Sequence, residues 1–221
     1  MIELSNITKR YAVHGGERTV LDNINLRIRP GEKIGVLGRN GAGKSTLVRI
    51  ISGAERPSSG TVHRGMKISW PLAFAGGFQG SLTGLDNLRF ICRIYNTSFE
   101  DKIAFVQDFS ELGRYLHEQV KTYSSGMRAR LAFALSMCIE FDCYLIDEVV
   151  AVGDDRFKAR CQHELFEKRR DRAMIIVSHQ MDFIRSHCDD AVVLNCGKLH
   201  AFPTVEDGFH FYHAHAAEKT V

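Results

Sequence analysis

No stretch of this 221-residue chain is apolar for long enough to cross a membrane as a helix, which takes about 20 residues. If the chain works at a membrane, a partner must hold it there. The first residues, Met1-Ile2-Glu3-Leu4-Ser5, lack the basic and apolar regions of a secretory signal. The six cysteines (Cys92, Cys138, Cys143, Cys161, Cys188, Cys196) include no CxxC pair. Several lie in apolar runs and read as small buried hydrophobes, so a disulfide framework is not expected. Neither sign of charge dominates. With 29 basic and 26 acidic residues the net charge is +3, too mild to point to nucleic acid. There are no internal repeats and no low-complexity linkers. What remains is an ordinary globular composition, 44% hydrophobic and 25% charged, sufficient for one large domain or two small ones.

The chain does carry one highly specific stretch, Gly38-Arg39-Asn40-Gly41-Ala42-Gly43-Lys44-Ser45-Thr46. It fits the G-x-x-x-x-G-K-[ST] pattern of a phosphate-binding loop. The preceding Lys33–Leu37 reads as a buried strand and the following Leu47–Ile51 as a helix, the context that this motif requires. Glycines let backbone N–H groups turn toward phosphate oxygens, and a helix N-terminus adds the positive end of its dipole. Lys44 would reach the β- and γ-phosphates, and the Ser45 hydroxyl would ligate Mg²⁺. A nucleotide site and unpaired cysteines together suggest a reducing cytosol.

Around the loop, residues 2–8 and 20–28 show alternating apolar positions and predict antiparallel strands. Short strands are expected near Gly60–His63 and Lys67–Ser69. From Thr83 to Leu116 apolar residues recur at helical spacing, which predicts two or three inserted helices. A helix follows at about 125–138. Strand-like runs at Cys143–Ile146, Ala173–Val177 and Ala191–Leu194 alternate with helices, which implies a parallel sheet. The aromatic tail, with His210 and His213 three residues apart, predicts an amphipathic helix packed on the core. A metal site there would need a third ligand.

Two further motifs bear on the phosphate loop. Cys143–Ile146 ends in Asp147-Glu148, and a carboxylate at the end of such a strand can face a metal beside the loop. Asp147 would hold Mg²⁺, and Glu148 would stand where an attacking water is polarised. Tyr123-Ser124-Ser125-Gly126-Met127 opens a strong helical pattern, with small and hydroxyl residues suited to a cap and an anion site.

This last stretch resembles the LSGGQ signature of the ABC ATPases, and it lies between the phosphate loop and the strand–Asp–Glu motif, as it does in that family. Ser124 and Gly126 match the consensus, and Ser125 replaces a glycine. The resemblance extends over essentially the whole chain. Ala151-Val152-Gly153-Asp154 is similar to the D-loop, and His179 in Val177-Ser178-His179 to the switch histidine. Gln79 is similar to the Q-loop glutamine, a further Mg²⁺ ligand, and Tyr11, 27 residues before Gly38, to the aromatic that stacks on adenine. The resemblance implies an α/β P-loop NTPase fold: an ABC ATPase core with an N-terminal antiparallel β-subdomain and an inserted α-helical subdomain. The core would span about 1–80 and 140–221, and the helical part about 81–139. ATP would contact Tyr11, Gly38, Arg39, Asn40, Gly41, Ala42, Gly43, Lys44, Ser45, Thr46, Gln79, Ser124, Ser125, Gly126 and Asp154. Glu148, His179 and Lys44 would be catalytic, and Ser45, Gln79 and Asp147 would bind Mg²⁺.

Ile68–Leu72, Ala75–Gly84, Lys121–Arg128 and Asp147–Asp154 narrow the resemblance to the ATPase subunits of capsular polysaccharide exporters. The O-antigen and teichoic-acid exporters share the last two stretches loosely. The implied partners are a second copy, which would sandwich ATP head to tail, and a transmembrane permease. The implied place is the cytoplasmic face of the inner membrane, with no nucleic acid bound. An alternative is a non-transport ABC ATPase of DNA repair, chromosome organisation or ribosomes, but those usually carry coiled-coil insertions or two ATPase domains. A regulatory module without turnover is a third reading, disfavoured by Glu148 and His179. Trp70, Phe74 and Phe78 are expected to form an aromatic ridge in a loop that docks the permease.

Overall fold

A computed structural model describes residues 1–72, 79–147, 154–178 and 180–215. Its contacts define two compact units. The first comprises Met1–Pro71, Phe141–Glu148 and Asp171–Val221, and the second Leu72–Glu140 and Val149–Arg170.

The first unit opens with a long hairpin, β1 (Ile2–Val13) and β2 (Gly16–Ile28), joined by a tight turn at His14-Gly15. β4 (Ser59–Arg64) pairs antiparallel with the other edge of β1, giving the order β2-β1-β4. Alternation predicts this hairpin only as far as residue 8 and from residue 20. Pairing continues beyond it through Tyr11↔Arg18 to Val13↔Gly16. Most side chains of that extension are exposed, so backbone hydrogen bonds hold it without an apolar pattern.

The second sheet has the order β5-β6-β7-β3-β8-β9. Its strands are β3 (Lys33–Leu37), β5 (Ile68–Pro71), β6 (Cys143–Asp147), β7 (Ala173–Val177), β8 (Asp190–Asn195) and β9 (Lys198–Phe202). All neighbours are parallel except β8 and β9. β7 is buried at every residue and β6 at all but its last. Such strands read as continuous apolar runs because helices cover both faces. On one face, α1 (Lys44–Ser52) contributes Leu47, Val48, Ile50 and Ile51 to a core shared with Ile34, Val36, Leu145, Ile175 and the hairpin residues Ile2, Ile7 and Leu21. On the other lie α6 (Met181–His187) and α7 (Val205–Ala214). Ile184 of α6 packs so closely on Gly35 that a Cβ there would stand 2.7 Å from its Cγ2.

In α7, Val205 and Phe209 are buried and His210 and His213 exposed, so the tail is a packed amphipathic helix. Among the described residues no cluster of three metal-ligating side chains exists. Trp70 requires a correction. It belongs to strand β5, not to a loop, and its half-buried ring stands edge-on to Phe141 at 5.3 Å. Phe74 and Phe78 lie outside the described residues.

The second unit is helical: α2 (Gly84–Ile94), α3 (Phe99–Ser110), two short turns at 113–117 and 120–122, α4 (Ser125–Cys138) and α5 (Asp155–Gln162), which runs on into a wider turn at 163–167. Thr83, Ser98, Ser124 and Asp154 cap α2, α3, α4 and α5. Phe109 stacks on Phe105 and Phe133 and meets Phe157 edge-on. Every residue from Leu131 to Cys138 is buried, so that half of α4 is apolar all round. Arg169, 6% exposed, donates to the Met137 and Glu164 carbonyls and to the carboxylates of Glu164 and Glu140. A buried guanidinium is tolerable because each of these oxygens offsets its desolvation.

At the start of α2, a Cβ on Gly84 would lie 2.8 Å from the Tyr123 hydroxyl and 3.2 Å from the Leu116 carbonyl oxygen. The hydroxyl is fixed in turn by donation to the Tyr115 carbonyl. Gly84→Ala should therefore destabilise the protein by about 1–3 kcal/mol through overpacking. A thermal melt should show a drop of about 2–10 °C. An unchanged midpoint would mean that the Tyr123 ring moves aside freely.

Candidate nucleotide site

β3 ends at Leu37, and the chain turns through Gly38–Gly43 into α1. Gly43, at the helix N-cap, has φ 105, and a Cβ there would meet Val20 Cγ1 at 2.9 Å and the Val20 carbonyl oxygen at 3.1 Å. Only glycine suits both the left-handed backbone and this approach. α1 has no side-chain cap and no acid in its first turn, whereas α2, α3, α4, α5 and α7 all begin with a side-chain cap. Its first N–H groups are thus left for an external anion. The Lys44 ammonium folds over the loop, donating to the Gly38 carbonyl at 2.6 Å and to that of Arg39 at 3.1 Å. Ser45 is exposed, while Thr46 and Ala42 are buried beneath. A loop of this shape, with its cation inside and its helix end uncapped, fits a polyphosphate.

The sheet register brings the other expected groups of this unit to the same end. Val36 pairs with Val177, and Val177 with Asp147. Asp147 therefore ends its strand two positions across from β3, about 10 Å away at ordinary strand spacing. Three strand C-termini meet there, leading to the loop, to Asp147 and to Ser178. Ligands of parallel α/β sheets bind outside this edge. Glu148 and His179 lie outside the described residues. Tyr11, in the exposed part of β1, places its hydroxyl 3.4 Å from Thr46 Oγ1 in the first turn of α1, which brings the ring to the flank of the loop.

The second unit holds the remaining expected residues. Ser124 caps α4 by accepting from the Met127 N–H at 3.2 Å. Ser125 is the first residue of that helix, with helical backbone, so a side chain in place of the consensus glycine imposes no strain there. Tyr123 is 3% exposed and anchors the turn before the helix; burial raises its phenol pKa above the usual value. Asp154 caps α5 through the Phe157 N–H at 2.9 Å and pairs with Arg130 at 2.7 Å. The Phe157 N–H and then Arg130 lower its pKa. Gln79 is exposed, and its backbone is fixed at both N–H and carbonyl by the buried Asn87 side chain of α2. Sequence reasoning missed Asn87 and Arg130; a buried amide on an apolar helix face was the one available signal for Asn87. All six cysteines are free. Burial pushes the thiols of Cys138, Cys143, Cys161 and Cys188 up to about 12, which leaves them inert.

A phosphate loop, a strand ending at Asp147 with Glu148 next in the sequence, and a capped helix carrying the signature-like residues are together the parts of an ABC-type ATPase. The ABC transporter family model matches residues 21–151, and the chain belongs to that family. It is 59% identical over 212 residues to the ATP-binding protein BexA of Haemophilus influenzae, covering 96% of this chain and 98% of BexA. It is 58% identical over 214 residues to the capsule polysaccharide export ATP-binding protein CtrD of Neisseria meningitidis, covering 97% and 99%. The fold is similar to the dimeric ATP-binding cassette MJ0796 solved in a post-hydrolysis state with ADP and Pi, with a TM-score of 0.78 at 21% identity, covering 92% of this chain and 98% of that one.

Proposed function

We propose that this chain is the ATP-hydrolysing subunit of a capsular polysaccharide exporter. The observation that carries this reading is the near-full-length identity to CtrD and BexA. ATP would lie with its phosphates on the N–H groups of Gly41–Thr46 and on Lys44, its base against Tyr11. Ser124, Ser125 and Gly126 of a second copy would close over the γ-phosphate, since two helix N-termini favour the same anion. Asp154 would lie near that contact. Two chains so paired form a C₂ dimer holding two nucleotides. Mg²⁺, held by Ser45, Asp147 and Gln79, would supply charge neutralisation at the phosphates. Glu148 would accept a proton from the attacking water, and His179 would orient that water. Loss of the γ-phosphate removes the bridge between copies and lets them part.

No helix among the described residues is long and apolar enough to cross a membrane. We assign the coupling contact to a permease at the cytoplasmic face of the inner membrane. α2 begins five residues after Gln79 and exposes Phe90 and Ile94, at 53% and 58%. Being four residues apart, they share one helix face. The test is co-purification from membranes with a candidate permease, and export assayed in cells. Phe90→Ser/Ile94→Ser should leave the ATPase rate and melting of the isolated chain unchanged. It should abolish co-purification and export, because the lost contact is apolar and intermolecular. Full export by that variant would remove α2 from the interface. Failure of the wild-type chain to associate with the permease would overturn the export reading.

A further inference from the structure

A stacking platform on an exposed hairpin needs something to hold it. Arg10, Ala12 and Val13, around Tyr11, are exposed and Tyr11 itself is only half-buried, so packing alone holds the ring incompletely. Its hydroxyl is fixed as well. The phenol donates to Glu55 Oε1 at 2.6 Å, and Arg49 Nη2 approaches the same oxygen of Tyr11 at 3.4 Å. Glu55 lies just beyond the C-terminal end of α1, and its N–H donates to the Arg49 carbonyl at 3.1 Å. Its carboxylate is gripped by Lys9 Nζ at 2.9 Å and by Arg49 Nε at 3.0 Å. Arg49 also donates to Thr46 Oγ1 at 3.3 Å, one turn nearer the phosphate loop. The Lys9 ammonium stands 5.0 Å from the centre of the Tyr11 ring. Burial pushes the Glu55 pKa up, but the hydrogen bonds from Tyr11, Lys9 and Arg49 outweigh it and hold the group at about 2. Glu55 is therefore a charged acceptor at any working pH.

We propose that Glu55 is a positioning residue for the nucleotide base: with Arg49 and Lys9 it ties the Tyr11 ring to α1, so that ring and phosphate loop form one rigid receptor. The inference rests on the reading of Tyr11 as the base platform. It also makes a distinction that stacking alone does not. A π-face needs no hydroxyl, so phenylalanine would serve a free platform as well as tyrosine does. A tethered platform loses its anchor with the hydroxyl.

Equilibrium binding of ATP and of tripolyphosphate to the purified full chain tests this. The variants are Tyr11→Ala, Tyr11→Phe, Glu55→Ala, Glu55→Gln and the double Tyr11→Phe/Glu55→Ala. Tyr11→Phe and Glu55→Ala should each weaken ATP binding about five- to tenfold, the worth of one such hydrogen bond. The double variant should be no weaker than the worse single, because both remove the same link. Tripolyphosphate affinity should not change, and Glu55→Gln, which keeps an acceptor, should recover most of the loss. If Tyr11→Ala weakens ATP binding while Tyr11→Phe and Glu55→Ala match wild type, the anchor is overturned and the platform stands. Wild-type ATP affinity in Tyr11→Ala would overturn the platform and the anchor together. An equal loss for tripolyphosphate would place the effect of Glu55 on the phosphate loop and overturn the inference.

Discussion

Replacement of Glu148 by glutamine is expected to cut ATP turnover by on the order of 10²–10⁴, the usual cost of losing a positioned general base, while ATP still binds. Asp147 is fixed at the end of β6 by its pairing with Val177, and Glu148 is the next residue along the chain. In the proposed mechanism the two consecutive acids would divide the work, Asp147 suiting a cation and Glu148 a water. Glutamine has the same shape and can still hold a water, but it cannot take up a proton. The nucleotide-bound pair should then persist. Phosphate release under multiple turnover gives the rate, and size-exclusion chromatography with ATP reports the pairing. A variant that hydrolyses ATP at the wild-type rate would assign the base elsewhere.

Lys44→Ala should weaken ATP binding on the order of 10²-fold or more, the cost of truncating one partner of a charged, hydrogen-bonded contact. The ammonium already lies within the loop, held by the Gly38 and Arg39 carbonyls, so little reorganisation is needed to meet phosphate. Some affinity should remain, because the N-terminal N–H groups of α1 contribute independently of the side chain. Calorimetric titration with ATP and with adenosine separates the two contributions. Adenosine binding should be unchanged, and an unchanged ATP affinity would exclude Lys44 from the phosphate contact.

The parts legible in the sequence are those where local geometry dictates residue type. The phosphate loop needs glycine at Gly43 because its backbone is left-handed. Strands β6 and β7 read as unbroken apolar runs because helices cover both faces of the sheet. The cap at Ser124 follows from a side-chain oxygen that reaches the N–H three residues on. Long-range polar partners were not legible. Arg169 finds Met137 and Glu140 about thirty residues away, and Glu55 finds Tyr11 forty-four residues away; neither pairing leaves a periodic trace. The outer half of the hairpin escaped for a related reason, since its pairing rests on backbone groups under exposed side chains. Trp70 was misplaced because an aromatic beside proline and glycine resembles a loop residue, whereas Phe141, distant in the sequence, gives it a partner in the sheet edge.

The two arginines that clamp α4 give that helix a mechanical character. Near its start, Arg130 ties it to Glu111 and Asp154; at its end, Arg169 grips the Met137 carbonyl. Between the clamps at Arg130 and Met137 lie six of the helix's fourteen residues, about 10 Å of helix, all of them buried. A beam fixed at both ends transmits a load rather than bending under it. A tug on the Ser124 cap would therefore be felt at Asp154 and at the wide turn bearing Glu164, with little lost on the way. Ser124 and Met137 would then move as one body, without any hinge inside this helix.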